Sequence, residues 1–166
     1  MASPAYLTIV DEQGNSVKAD VKIKGREGTA EVHAFDYHVA IPSDPNTGAL
    51  TAVRKHGNAV IIKTYDSASP ILFDACCRGK TLQSMRIDWY RINDKGEEEL
   101  YYTHTLTGVK VVKVRQFMQN VKDPNYDMLG HQEELQLRFQ QIQMTHPDGN
   151  IMATDNWNES RTGSSL

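Results

Sequence analysis

Val109-Lys110-Val111-Val112-Lys113-Val114 contains two apolar sets that are out of step with each other. Val109 and Val111 share one parity; Val112 and Val114 share the other. Side chains on a strand alternate between the two faces of a sheet, so an unbroken flat strand cannot bury both sets. A β-bulge or a bend near Val111 brings both back to one face and curves the strand. The slip lies inside a long predicted strand, Leu100 to Val114. A second slip follows downstream: Leu135, Leu137 and Phe139 agree, then Ile142 and Met144 fall on the other parity. Repeated phase slips in long strands suit a strongly curved sheet, as in a barrel or sandwich.

Working outward, most of the chain reads as β. Tyr6 to Val10 is a short β-prone run. Val17, Ala19, Val21 and Ile23 alternate with Lys18, Asp20, Lys22 and Lys24, which predicts a strand with one wet face. Asp11 to Asn15 between the two runs predicts a hairpin turn. A second extended run covers Thr29 to Ile41, with Phe35, Tyr37, Val39 and Ile41 on one parity. Val60 to Tyr65 is the next strand. Met85, Ile87 and Trp89 share a face before the turn at Asn93 to Gly96. Asp123-Pro124-Asn125 and Pro147-Asp148-Gly149-Asn150 mark two further loops.

One helix interrupts this pattern. Ser69 is suited to the N-cap, Pro70 to the first helical position and Gly79 to the residue past the end. Ile71, Leu72, Ala75 and Cys76 fall on one face, and Arg78 sits in the last turn, where a cation complements the helix dipole. Pro42-Ser43-Asp44-Pro45-Asn46-Thr47-Gly48 predicts a long irregular loop anchored by Ile41 and Leu50. The fold class is therefore mainly β: an antiparallel two-sheet barrel or sandwich with one short α-helix on its side and a long projecting loop.

The 166 residues predict a single domain, 1–166, with a flexible tail at about 160–166. Eighteen basic and 21 acidic side chains give a formal net charge of -3. That balance gives no basic stripe for nucleic acid. No window is long and apolar enough to cross a bilayer. The first residues lack a basic segment, apolar run and cleavage site, so the sequence predicts no cleaved signal peptide. The adjacent Cys76 and Cys77 would make a strained bridge closing almost no loop, and read as two free buried thiols.

The residues offer little catalytic chemistry. His33, His38, His56, His104, His131 and His146 match no metal spacing, and His56 and His131 read as structural hydrogen-bonding groups. Ser67 and Ser69 near Asp66 lack a nucleophile-elbow context. The sequence therefore predicts no catalytic residue, no cofactor and no metal. Two other readings are a monomeric β-barrel carrying a small ligand and a hydrolase on the same sheet.

Three ordered segments carry a family resemblance. The first runs from Thr47-Gly48-Ala49-Leu50-Thr51 through Arg54 and His56 to Lys63, Asp66, Ser67, Ser69, Pro70, Leu72, Ala75 and Gly79. The second is Trp89-Tyr90-Arg91, the Val109 to Val114 strand and Asp123-Pro124. The third is His131, Glu133, Leu137-Arg138-Phe139, Ile142, Asp148-Gly149-Asn150-Ile151 and Asp155-Asn156-Trp157-Asn158-Glu159. In this order the chain resembles the haemolysin-coregulated protein (Hcp) family of type VI secretion systems.

The resemblance implies a structural subunit and not an enzyme. Such subunits form head-to-tail homo-hexameric rings that stack into a hollow tube. A sheath expels the tube with a spike, and the lumen carries effectors. It implies assembly in the cytoplasm and export without a cleaved signal. A head-to-tail ring joins two different patches of each copy. The projecting segment Ile41 to Arg54 is the candidate connector, with Ile41, Pro42, Asp44, Asn46, Thr47, Leu50 and Arg54 as its interface residues. Its backbone is expected to hydrogen-bond a neighbouring sheet. Asp11 to Asn15, Asn93 to Glu98 and Asp123 to Asp127 are candidates for ring stacking.

Overall fold

A computed structural model describes residues 3–157; the predicted tail at about 160–166 lies outside them. In chain order the elements are β1 (Ala5–Val10), β2 (Ser16–Val17), β3 (Ala30–Glu31), β4 (Ala34–Asp36), β5 (Val39–Ala40), β6 (Lys55–His56) and β7 (Ala59–Thr64). Helix α1 (Ser69–Arg78) follows, then β8 (Thr81–Ile92), β9 (Glu98–Met118), β10 (His131–Arg138), β11 (Gln141–His146) and β12 (Ile151–Asn156). All strand pairings are antiparallel.

The main path of the large sheet is β2-β1-β8-β9-β10-β7-β4, with β11 and β12 continuing from β9. The strands form a sandwich around one core and do not close into a barrel, because β1 and β7 do not pair. The segment Ala30–Asp36 laces these two strands instead. Its first part, β3, bonds to β1 and its last part, β4, to β7. The His33 N–H donates to the Ile62 carbonyl at 2.8 Å between them.

Both predicted phase slips are present, and they have different causes. In β9, Lys113 pairs with Gln136 and Val111 with Leu137, so Val112 is the extra residue of a bulge. Val109 and Val111 are buried, Val114 packs partly against the core and Val112 is 44% exposed. The second slip is a corner. β8 and β9 keep one register across it, yet Leu82 and Val109 face the core on one parity and Met85 and Leu106 on the other. Phe139, just past β10, and Ile142 on β11 are buried on opposite parities. At this line Gly108 has φ +64°, and the Gln140 N–H is shared by the carbonyls of Thr107 (3.0 Å) and Gly108 (3.2 Å). The left-handed residue inverts the pleat without changing the register.

Five expectations need correction. Regular pairing in the Val17–Lys24 run stops after Val17; the chain then turns back on itself through bonds such as Ala19 N–H to the Gly28 carbonyl (2.9 Å), leaving Ile23 exposed. The Thr29 to Ile41 run breaks into β3, β4 and β5, and Val39 and Ile41 point to solvent. On α1, Ala68 occupies the N-cap position without a side-chain cap; Gly79 closes the other end in the left-handed region. Leu72 and Ala75 face the core, Ile71 is exposed, and Cys77 is exposed while Cys76 is half-buried.

Candidate subunit interface

The projecting segment is a hairpin-like arm. Val39↔His56 and Ala40↔Lys55 pair at its stem, and Ser43↔Leu50 bridge further out. The Asp44 N–H donates to the Ala49 carbonyl at 2.8 Å and the Thr51 N–H to the Pro42 carbonyl at 2.9 Å. Asp44 also folds the tip, its carboxylate accepting the Asn46 N–H at 2.8 Å. Part of the arm's backbone is thus satisfied within the arm itself.

Its large apolar side chains are left uncovered. Leu50 is 67% and Val53 69% exposed, and Val39 and Ile41 are about half exposed. Asn46 and Thr47 stand exposed at the tip, while Pro42 and Asp44 are half-buried. Covering a large apolar side chain is worth about 1.5–3 kcal/mol. Four of them on one projecting segment are what an interface needs and a solitary domain does not.

Arg54 differs from the other candidate residues. It turns inward at the arm's root, where Nε contacts the Asp155 carboxylate at 2.5 Å and Nη2 donates to the Asn156 carbonyl at 2.9 Å. His56 Nε2 meets the same Asp155 oxygen at 2.7 Å, and Nδ1 meets the Tyr37 hydroxyl at 2.5 Å. Burial, and then the negative charge of Asp155, push the Tyr37 phenol up to about 12. The phenol is thus the hydrogen-bonding partner of His56 at this site.

A second polar cluster lies in the core. Lys63 and Glu133 are opposite one another on β7 and β10, both fully buried and in contact. The Lys63 ammonium also donates to Asp66 at 2.9 Å and Ser69 Oγ at 3.3 Å, and Ser69 donates to Glu133 at 2.7 Å. Ser69 therefore holds α1 to the sheet, which explains why it does not cap its own helix. Ser69 is held by Lys63 and Glu133, and His56 meets Asp155 and Tyr37 instead. Ser67 Oγ donates to the Lys18 carbonyl at 2.7 Å. The sequence did carry the signal for this cluster, since Lys63 follows Ala59 and Ile61, and Glu133 precedes Leu135 and Leu137, on the buried parity.

The three candidate stacking loops are exposed turns. The Gln83 N–H donates to the Asp11 carbonyl at 3.4 Å, which seats Asp11–Asn15 beside the start of β8. Asn93–Glu98 lies at the opposite end of that strand. The loop after β9 carries Val121, Tyr126 and Met128 exposed, Met128 to 94%. Arg91 pairs with Glu99 at 2.8 Å, and the Arg138 guanidinium lies 5.5 Å from the Trp157 ring. No helix among the described residues is long and apolar enough to cross a membrane.

Comparison with known proteins agrees with this architecture. A family model described as "Type VI secretion system effector, Hcp" matches residues 6–146. The "Major exported protein" of Pseudomonas aeruginosa is 31% identical, over 98% of this chain and all of that one. A mutant form of the Hcp1 protein from the E. coli EAEC 042 pathovar is 40% identical with a TM-score of 0.85, covering 94% of this chain and 99% of that one. The secreted protein Hcp3 from Pseudomonas aeruginosa is 27% identical with a TM-score of 0.78, covering 95% and 100%. The family match, the full-length relative and the shared sandwich agree, and the chain belongs to the Hcp family of type VI secretion systems.

Proposed function

We propose that this chain is a subunit of the type VI secretion tube and closes into a homo-hexameric ring through the arm Ile41–Arg54. The observation that carries the reading is the solvent-exposed apolar set Val39, Ile41, Leu50 and Val53 on a segment held out from the core. In a head-to-tail ring one copy's arm covers itself on a different surface of the next copy. Rings then stack through loops at their two ends, the sheath drives the tube and spike outward, and effectors travel in the lumen. Assembly takes place in the cytoplasm, and export uses the type VI machinery without a cleaved signal. The role is structural: it involves neither catalysis nor a cofactor, neither nucleic acid nor membrane insertion.

Light scattering on the purified chain tests this directly. The expected mass is that of a hexamer, with hollow rings in negative stain. Leu50→Glu, or deletion of Asp44 to Gly48, is expected to give a folded monomer. Rings of normal stability from both variants would remove the arm from the interface. A native monomer with a bound small molecule would instead favour a ligand carrier.

A further inference from the structure

The arm stands on a stem of two residue pairs, and so short a ladder holds little by itself. Side chains at the root must therefore set its direction. We infer that Asp155 is the positioning residue for ring closure: from β12 it holds the returning end of the arm's root directly and the outgoing end through His56, and so fixes the arm's angle. This inference rests on the arm being the ring contact proposed above.

One carboxylate oxygen of Asp155 meets Arg54 Nε at 2.5 Å and His56 Nε2 at 2.7 Å, both from the returning side of the arm. Arg54 and His56 are two residues apart, so an extended chain points them the same way and one oxygen serves both. The second Arg54 contact, to the Asn156 carbonyl, adds a main-chain hold on the same strand. From the outgoing side, Tyr37 reaches His56 Nδ1 at 2.5 Å, two residues before β5 begins. The Tyr37 and His56 rings stack with planes 17° apart, and Phe139 and Trp157 enclose the imidazole.

A carboxylate oxygen only accepts, so His56 donates from Nε2 to Asp155, and Nδ1 shares the second bond with the Tyr37 hydroxyl. Hydrogen bonds to the carboxylate are charge-assisted and stronger than neutral ones. A segment held in its bound direction loses less freedom on docking, and only one direction closes a ring of fixed size.

Hydrogen exchange of the arm amides, residues 39–56, tests the clamp. The Leu50→Glu protein is compared with and without Asp155→Ala. The double variant is expected to exchange arm amides at least tenfold faster, with β8 and β9 amides unchanged. In the chain with Leu50 intact, Asp155→Ala is expected to raise the concentration at which rings dissociate at least tenfold. Unaltered arm exchange, or an unaltered dissociation midpoint, overturns the inference. If Leu50→Glu and the deletion of Asp44 to Gly48 both still form normal rings, the arm's role in ring closure fails, and arm exchange measured in those rings still decides the clamp. Should Asp155→Ala fail to fold, Arg54→Gln is put through the same comparison; its side chain is 16% exposed.

Discussion

Lys63 on β7 and Glu133 on β10 form an ion pair wholly removed from water, and the second Glu133 oxygen has no hydrogen-bond partner among the described residues. Two charges are expensive to desolvate, and mutual contact repays this only when the geometry is good. Here the pair also recruits Ser69 and Asp66, so it ties the start of α1 to the sheet it covers.

Removing Lys63 strands the Glu133 charge in the core, whereas removing Glu133 leaves Lys63 paired with Asp66. Lys63→Met is expected to cost about 3–5 kcal/mol in urea unfolding, and Glu133→Leu less. The double variant is expected to lose less than Lys63→Met, because the buried Glu133 charge is gone as well. Additive single penalties would show that the two groups do not act as a unit.

Gly108 has φ +64°, and a Cβ there would lie 3.0 Å from Gln140 Cβ and Oε1. Gly96 has φ +78° with nothing within 4 Å. An L side chain in the left-handed region costs about 1–2 kcal/mol. Gly96→Ala is expected to pay that cost alone, and Gly108→Ala to pay it and displace Gln140 at the corner as well. Equal losses from the two in urea melts would argue against a close corner.

His104 is expected to make the fold acid-sensitive. Trp89 Nε1–H donates to His104 Nδ1 at 2.8 Å, and an indole is only a donor, so the imidazole must be neutral there. Burial lowers the His104 pKa below its ordinary 6.5. The unfolded chain thus takes up this proton first. The contribution is fully present above pH 6.5 and is lost as pH falls from there through the lower folded value. His104→Gln keeps an acceptor for Trp89 without titrating, and is expected to flatten the dependence. An equally steep acid loss in that variant would assign it to another group.

Tyr37 has the opposite sign. Its folded pKa is raised from 10.0 to about 12 by burial and by Asp155. Its contribution is fully present below pH 10 and fades as pH rises toward about 12, because the unfolded phenol ionises first. Tyr37→Phe is expected to remove this part of the alkaline loss. Direct spectroscopic titration of the phenol near its ordinary value would contradict the buried clamp.

Several features of the fold and candidate site were legible in sequence. The valine slip announced the bulge, with Val112 as the extra residue, one position past Val111. Gly79 announced the end of α1. The loop from Ile41 was legible as a projection because Pro, Asp, Asn and Gly cluster where a strand would continue. The Val17–Lys24 run misled because alternation says only that a strand would suit those residues. It does not supply a partner strand, and past Val17 this chain turns back on Gly28 and Thr29. The arm clamp was not legible, because Tyr37, His56 and Asp155 are far apart in sequence and no local pattern links them.

By itself the sequence determined the β class, the single helix, the curvature of the long strands and the position of the arm. These follow from periodicity and from residues with restricted backbone angles, and both act over a few neighbours. Tertiary structure alone decided that the sheet stays an open sandwich laced by Ala30–Asp36, that Lys63 and Glu133 share the core, and that Asp155 holds the arm. Each of these depends on groups distant in sequence meeting within hydrogen-bond reach, which only the folded path of the chain fixes.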